Sequence, residues 1–348
     1  MNKQLMKGNE AVVRGALLGG ATHFFGYPIT PASEVAHAAS LYFPQAGGAF
    51  LQAECEVDAI NMVYGGAAAG ARAMTASSGP GISLMAEGIS YMAGAELPCV
   101  IVDIQRAGPG LGNIWPEQGD YNAVVKGGGH GNYRNVVLAP NSAQEMCDFT
   151  CRAFEIADEY RVTVFVLSDA YIGQIMEPVA LPTEVRRGER KDWALYGDGP
   201  SRGNLITSIF MNIQAQSEHN LKLQEKYARI EKALVQYEQT ETEDAEIVFV
   251  AFGISARICF TAVERLRERG IKAGLLRPTA LYPFPSAILD SLADAARVML
   301  VVELNNGQMA DDVERAVRCR IPVRRLNWMG GVVPSAEELV ERAESEIK

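Results

Sequence analysis

The sequence has 348 residues, a formal net charge of -10 and 48% hydrophobic residues. At about 150 residues per domain, this length predicts two domains with buried cores, and the composition excludes a disordered or collagen-like chain. The acidic balance disfavours nucleic acid and anionic membranes as partners, so an anionic ligand would have to be held by local groups.

Apolar β-type runs alternate with helical patterns through the first half of the chain. Strands are predicted at 22–25, 72–76, 99–104, 135–138 and 162–167, and helices near 9–19, 31–41, 56–70, 80–93 and 142–159. Strands that are apolar on both faces and lie between helices imply a mainly parallel sheet. We therefore expect an open α/β domain over residues 1–190.

A polar stretch rich in proline, glycine and charge follows Met176 and predicts a connection over the surface. Apolar residues then recur at helical spacing from Leu205 to Gln239, which predicts a long amphipathic helix in a linker at 191–240 that straps the domains together. The alternation resumes over 241–348, with strands at 246–253, 271–276 and 298–304. A second, smaller open α/β domain is expected there.

In open parallel sheets, ligands bind beyond the carboxyl ends of the strands, so the loops after the strands are the first places to search. In the turn at 25–35, Thr30 is placed to cap a helix that has Pro31 at its first position. A well-made cap is one explanation of this pattern. The other is that the hydroxyl and the free N–H groups meet a carboxylate or carbonyl oxygen of a ligand.

Three acids open the predicted helix at 56–70, namely Glu54, Glu56 and Asp58. Stabilisation by the helix dipole explains all three. Glu56, however, is followed at i+3 and i+4 by apolar residues and so lies near the buried stripe of the helix. A carboxyl group shielded from water in this way can share a proton with a heterocycle.

Two glycine-rich loops follow strands but match no nucleotide-binding motif. The loop at 75–81 lacks the lysine of a P-loop, and the loop at 105–113 reads G-x-G-x-G instead of G-x-G-x-x-G. Arg106, where the second loop begins, is either a clamp for a substrate carboxylate or a surface ion pair. His130, in a run of glycines, either makes a hydrogen bond within a turn or contacts a ligand.

The six cysteines show neither C-x-x-C spacing nor a compact framework, so disulfides and a metal site in this chain are not expected. The opening residues lack the apolar region of a secretory signal, and no apolar run reaches the roughly 18 residues of a membrane span. We therefore expect a cytoplasmic protein that does not interact with membranes.

Three segments, at 8–35, 53–85 and 99–113, together resemble the α subunit of multisubunit 2-oxoacid:ferredoxin oxidoreductases, and the similarity extends from residue 8 to about 180. AEGISYMAGAELPCVIV (86–102) and KGGGHGNYRNVVLAP (126–140) are most similar to the 2-oxoisovalerate, or branched-chain 2-oxoacid, type, with the 2-oxoglutarate type as a near relative. The resemblance implies a thiamine-enzyme pyrimidine-binding domain followed by a transketolase C-terminal-like domain.

The resemblance also implies a cofactor, a reaction and site residues. Glu56, and not Glu54, would bond N1′ of the aminopyrimidine of thiamine diphosphate. Thr30, with the Pro28–Ile29 turn, would face the cofactor and a substrate oxygen, and Arg106 would hold the substrate carboxylate. The implied reaction is oxidative decarboxylation of a 2-oxoacid with coenzyme A to acyl-CoA, CO2 and reduced ferredoxin.

The sequence lacks two parts of such an enzyme. The Gly197-Asp198-Gly199 triplet is not followed by the asparagine of a metal-diphosphate motif, and no cysteine set fits an iron-sulfur cluster. The resemblance therefore implies a β subunit that binds Mg²⁺ and the diphosphate, a γ subunit linked to coenzyme A, and a ferredoxin-like δ subunit with [4Fe-4S] clusters. The cofactor would sit at the subunit interface.

Several alternatives remain at this point. Trp115 and Glu117 are expected to shape the pocket near the substrate side chain, although Trp115 is equally well explained as a loop anchor. The β subunit of a lipoamide-linked 2-oxoacid dehydrogenase has a similar domain order, but the Y-P-I-T-P turn disfavours it. A non-catalytic two-domain protein that binds a small anion is the alternative from another class.

Overall fold

The structure is a computed structural model that describes residues 3–182 and 184–347. Its strands are β1 (Lys3–Lys7), β2 (His23–Gly26), β3 (Ala49–Gln52), β4 (Ala73–Ser77), β5 (Cys99–Gln105), β6 (Val136–Leu138), β7 (Thr163–Asp169), β8 (Met176–Ala180), β9 (Tyr237–Thr240), β10 (Ile247–Val250), β11 (Ala273–Pro278), β12 (Ala280–Tyr282), β13 (Val298–Glu303) and β14 (Val323–Asn327). Its helices are α1 (Gly8–Leu18), α2 (Ser33–Gln45), α3 (Glu56–Ala68), α4 (Gly79–Gly94), α5 (Tyr121–Val125), α6 (Ala143–Tyr160), α7 (Ala170–Gln174), α8 (Ile213–Ala233), α9 (Gly253–Glu268), α10 (Ser286–Leu292), α11 (Gln308–Ala316) and α12 (Ala336–Ile347).

Seven strands form the first sheet in the order β12-β6-β7-β5-β4-β2-β3, and only β12 runs antiparallel to its neighbour. Every residue of β4, β5 and β7 is buried. The helix α1 packs against both α2 and α6, and α3 packs against α4. Strands covered by helices need apolar side chains on both faces, which explains the continuous apolar runs in the sequence.

Five strands form the second sheet in the order β14-β13-β10-β11-β9. The strands β14, β13, β10 and β11 are parallel, and β9 forms one edge of the sheet and runs antiparallel to β11. The helices α9 and α12 pack together over a separate apolar cluster. The predicted fold class, two open α/β units with mainly parallel sheets, is confirmed.

Two strands tie the sheets to each other. β9 lies within the predicted linker yet belongs to the second sheet, and β12 follows β11 of the second sheet yet pairs with β6 of the first. The assignment of residues 1–190, 191–240 and 241–348 to separate units stays a prediction.

The helix in the linker is shorter than the helical spacing from Leu205 to Gln239 predicts. α8 begins only at Ile213, because the Asn212 side chain accepts a hydrogen bond from Ala215 N and caps the helix there. The segment before it is irregular and exposed, with Met211 at 89%. The polar stretch after Met176 also begins as β8, which pairs antiparallel with β1. None of the helices in the described residues combines the length and apolar character that crossing a bilayer requires.

Candidate functional site

The candidate residues lie at the carboxyl edge of the first sheet. β2, β3, β4 and β5 run parallel, so the loops that follow them open on the same side. The loops after β2 and β5 carry Thr30 and Arg106, and Glu56 begins the helix that follows β3. The site is therefore assembled by strand direction, across segments that are distant in the sequence.

Glu56 is the first residue of α3 and is buried, with 6% of its surface exposed. The two neighbouring acids differ from it: Glu54 is exposed, and Asp58 accepts a hydrogen bond from the Cys55 thiol at 3.5 Å. No residue in the described part of the chain donates a hydrogen bond to the Glu56 carboxylate. Burial thus distinguishes Glu56 from Glu54, as the sequence predicts.

The start of α4 closes tightly over this carboxylate. A methyl group at Gly81 would lie 2.6 Å from Oε1 of Glu56 and closer still to Oγ of Ser77. Only glycine leaves room for both side chains. The Ser77 hydroxyl is itself buried without a hydrogen-bond partner among the described residues.

Arg106 and Thr30 are in direct contact. Nη1 of Arg106 donates to the Thr30 carbonyl at 2.8 Å, and Nη2 donates to the Leu111 carbonyl at 3.0 Å. Nε of Arg106 is buried and has no acceptor in the described part of the chain. The guanidinium is therefore fixed by two neutral acceptors, and no carboxylate among the described residues forms a salt bridge with it. The surface ion pair considered from the sequence is not formed there.

The predicted helix cap at Thr30 is wrong. α2 begins at Ser33, and no side chain caps it. The carbonyls of Thr30 and Pro31 accept hydrogen bonds from Arg106 and Asn9, which hold this stretch as a turn ahead of the helix. The Thr30 side chain is exposed at the edge of the sheet, after the exposed Pro28 and the half-buried Ile29.

A cavity of about 790 Å³, here called the clamp cavity, lies between the two sheets' loops. Its lining includes Arg106, Glu117 and Asp120 from the first half of the chain and Asn305 and Gly330 from the second. Gly79 and Pro80 also line it. The first turn of α4 therefore joins the cavity to the Glu56 carboxylate.

A second cavity, of about 550 Å³, lies beside Thr30 and is here called the apolar cavity. It is lined by Thr30, Pro31, Ile114, Trp115, Pro116, Ala170, Tyr171, Gln174 and Ile175. None of these residues carries a charge, whereas the clamp cavity contains both acids and an arginine. The two cavities therefore suit different chemical groups.

The structure reveals a buried acid pair that the sequence analysis missed. Burial raises the pKa of Asp103 well above its ordinary value, and the nearby Asp120 raises it further. Burial likewise raises the pKa of Asp120 to about 6. Neither oxygen of Asp103 has a hydrogen-bond partner in the described chain, and the raised pKa values of the two acids favour a protonated carboxyl within the pair. An aspartate inside the apolar run CVIVDIQ was the signal available in the sequence.

Other candidates from the sequence lie apart from these residues or play structural parts. His130 is exposed, its ring meets Tyr91 edge-on at 5.9 Å, and its carbonyl accepts from Ser90. Asp198 of the glycine-flanked triplet accepts a hydrogen bond from Ser201 N in a turn. Trp115 is 64% exposed and lines the apolar cavity. Within residues 3–182 and 184–347, no group of three or more His, Cys, Asp or Glu side chains could hold a metal ion.

Comparison with known families identifies the family of the chain. Residues 14–243 match the thiamine-diphosphate-binding domain of pyruvate flavodoxin/ferredoxin oxidoreductases, and residues 245–339 match core domain II of pyruvate:ferredoxin oxidoreductase. The chain belongs to the 2-oxoacid:ferredoxin oxidoreductase family. The resemblance seen in the sequence is thereby confirmed. The expected enzyme class, an oxidoreductase, and the expected cofactor, thiamine diphosphate, are confirmed with it.

Relatives along the whole chain are subunits of such oxidoreductases. The chain is 57% identical over 343 residues to a ketoisovalerate oxidoreductase subunit, VorB, of Methanothermobacter thermautotrophicus, covering 98% of this chain and 97% of the relative. It is 39% identical over 355 residues to a 2-oxoglutarate synthase subunit, KorA, of Archaeoglobus fulgidus, covering both chains completely. Members of this family work as multisubunit enzymes with ferredoxin.

One solved structure of the family superposes closely on this chain. A 2-oxoglutarate:ferredoxin oxidoreductase from Magnetococcus marinus, solved with 2-oxoglutarate, coenzyme A and succinyl-CoA, superposes with a TM-score of 0.90 at 28% identity. The match covers all of this chain and 66% of that chain. A split-gene transketolase shares the fold, with a TM-score of 0.56 at 13% identity over 96% of this chain and 91% of the transketolase.

Proposed function

We propose that this chain is the pyrimidine-binding α subunit of an enzyme that converts a branched-chain 2-oxoacid, such as 2-oxoisovalerate, and coenzyme A to acyl-CoA, CO2 and reduced ferredoxin. The observation that carries the proposal is the Glu56 carboxylate, buried under Gly81 and without a donor from the described chain. A ring that brings its own proton-sharing nitrogen would complete this site. The similarity to ketoisovalerate oxidoreductase subunits supports the substrate class.

Thiamine diphosphate, when bound, supplies the carbon nucleophile that attacks the 2-oxo group. Glu56 would hold a proton at N1′ of its pyrimidine ring, and burial strengthens this hydrogen bond because little water competes for it. The Pro28–Ile29 turn would border the ring, and the exposed Thr30 hydroxyl would face a substrate oxygen. The close packing of Gly81 against the Glu56 side chain would keep the carboxylate from rotating away from the ring.

Arg106 would hold the carboxylate of the 2-oxoacid. Two backbone carbonyls fix its guanidinium without neutralising the charge. An arginine fork held in this way can donate further N–H groups to an incoming carboxylate, and a hydrogen bond to a charged group contributes about 1.5–3 kcal/mol. Arg106 and Thr30 would then contact neighbouring oxygens of one substrate.

The apolar cavity beside Thr30 supports a branched aliphatic side chain on the substrate. Each buried methylene contributes about 0.8 kcal/mol, so the walls formed by Ile114, Trp115 and Tyr171 would favour such a group. The second carboxylate of 2-oxoglutarate would find no cationic side chain there, and an unpaired charge in an apolar site is unfavourable.

The remaining parts would come from other chains. We propose that a β subunit supplies the Mg²⁺ and diphosphate site, a γ subunit takes part in coenzyme A use, and a ferredoxin-like δ subunit carries [4Fe-4S] clusters that pass electrons to ferredoxin. The complex would assemble in the cytoplasm, with thiamine diphosphate at the α–β interface.

The proposal is tested by assaying the reconstituted complex with a panel of 2-oxoacids and following ferredoxin or viologen reduction. We expect the highest kcat/KM with 2-oxoisovalerate and its branched homologues, and a far lower value with 2-oxoglutarate. A preference for 2-oxoglutarate would overturn the substrate assignment. Copurification with a lipoyl protein, and no ferredoxin reduction, would overturn the reaction.

A further inference from the structure

The loop of residues 106–117, here called the clamp loop, carries Arg106 and one of the two carbonyls that fix it. The loop is closed on itself by two hydrogen bonds, from Ala107 N to the Trp115 carbonyl and from Asn113 N to the Ala107 carbonyl, both 3.0 Å. Leu111, whose carbonyl accepts from Arg106, lies near its exposed tip. The position of the guanidinium therefore depends on where this loop is held.

The side chain of Glu117, the last residue of the clamp loop, accepts two backbone hydrogen bonds that fix the loop. Its side chain is buried, with Oε2 accepting from Gly108 N at 2.7 Å and Oε1 accepting from Gly330 N at 2.8 Å. Gly108 belongs to the clamp loop, and Gly330 belongs to the turn after β14 of the second sheet. One carboxylate thus closes the clamp loop through Gly108 and bonds it to the second half of the chain through Gly330. The bond to Gly330 is lost if the two segments move apart.

A second, independent contact joins the same two segments. Nδ2 of Asn113 donates to the Gly330 carbonyl at 3.1 Å, while its Oδ1 accepts from Trp115 N at 2.9 Å. Gly331 packs so closely on Trp115 that a methyl group there would lie 2.5 Å from the tryptophan Cβ. The turn at 329–331 is therefore shaped to receive the clamp loop.

We propose that Glu117 is a positioning residue that locks the clamp loop onto the turn at Gly330, and that this lock sets the affinity of the enzyme for the 2-oxoacid carboxylate. The inference rests on the proposed role of Arg106. A loop that visits other positions presents Arg106 correctly for only part of the time, and the apparent affinity falls in proportion to that fraction. The second sheet would thus take part in substrate binding without touching the substrate.

Glu117→Gln in the reconstituted complex tests the lock. The amide keeps the size of the side chain but can accept only one of the two N–H groups, because its NH2 end cannot accept. We expect KM for the 2-oxoacid to rise about tenfold with kcat within about twofold of wild type. Hydrogen exchange of the peptides that contain Gly108 and Gly330 should accelerate in the same variant, a readout that does not depend on turnover.

Two further variants make the result decisive. Asn113→Ala removes the second contact at an exposed position and should shift exchange and KM in the same direction, to a smaller extent. Glu177→Gln is the matched control, because Glu177 also accepts a backbone N–H and joins the two halves of the chain, through Arg257 at 2.8 Å, but away from the clamp loop. It should change neither KM nor the exchange of these peptides.

Wild-type exchange at Gly108 and Gly330 in Glu117→Gln would overturn the lock, as would faster exchange with an unchanged KM. Arg106→Ala separates this failure from failure of the proposed function. An unchanged KM in Arg106→Ala would refute the substrate clamp itself, whereas a raised KM there with a normal Glu117→Gln would refute only the positioning role.

Discussion

Gly81→Ala is the substitution that most directly tests the seat of the Glu56 carboxylate. The added methyl group would lie 2.6 Å from Oε1, and an ordinary contact needs about 3.4 Å, so the oxygen must move by at least 0.8 Å (3.4 minus 2.6). A misplacement of about 1 Å can cost roughly 10²-fold in rate. Alanine also favours a helix over glycine by about 1 kcal/mol, which offsets part of the strain at this position. Because the methyl group would lie closer still to Oγ of Ser77, that hydroxyl must move as well. We therefore expect kcat to fall about a hundredfold, together with some loss of stability.

The assay is viologen or ferredoxin reduction by the reconstituted complex, with thermal unfolding of the variant chain measured in parallel. Gly65→Ala is the matched control, since Gly65 lies on α3 itself and, apart from the neighbouring backbone of that helix, no described atom comes within 4 Å of a methyl group there. The control should keep wild-type turnover. A Gly81→Ala enzyme with wild-type kcat would show that the position of Glu56 does not matter and would refute the reasoning.

Three further predictions concern individual side chains. Glu56→Gln should leave subunit assembly intact, measured by gel filtration, and lower kcat by about 10²–10⁴-fold because an amide cannot hold the ring proton; the exposed Glu54→Gln should behave as wild type, and normal turnover in Glu56→Gln would remove it from the mechanism. Arg106→Ala should raise KM for the 2-oxoacid by roughly ten- to a hundredfold, and an unchanged kcat/KM would contradict the clamp. Asp103→Asn should flatten the pH dependence of stability. Burial raises the pKa of Asp120 from 3.8 to about 6, so the folded acid pair keeps a proton that the unfolded chain has lost. The free energy of unfolding therefore falls as pH rises from about 4 through 6, by at most ~1.4 kcal/mol per pH unit for each proton. Urea unfolding of the wild type and the variant at pH 5 and pH 7 measures this slope. An unchanged slope in the variant would show that the folded acid pair does not hold this extra proton.

The sequence determined the α/β class and the family. Continuous apolar runs between helical patterns require strands covered on both faces, and this local signal places the main elements to within a few residues. The apolar residues at i+3 and i+4 also placed Glu56 near the buried face of α3, where the structure has it. The choice of Glu56 over Glu54 as the acid that bonds the cofactor came from the family resemblance and stays a prediction. Short edge strands such as β3, β9 and β12 were not predicted, since their residues have no such continuous pattern and pair only through distant partners.

Only the tertiary structure decided what the loops do. Thr30 fits a helix cap by local preference, yet the hydrogen bond from Arg106, 76 residues away in the sequence, holds its carbonyl in a turn. Glu117 bonds Gly330, and the buried Asp103 lies near Asp120 at the wall of the clamp cavity, through contacts that no local pattern encodes. Hydrogen bonds between segments depend on how strands and loops are brought together in space, and spacing along the chain carries no record of that arrangement.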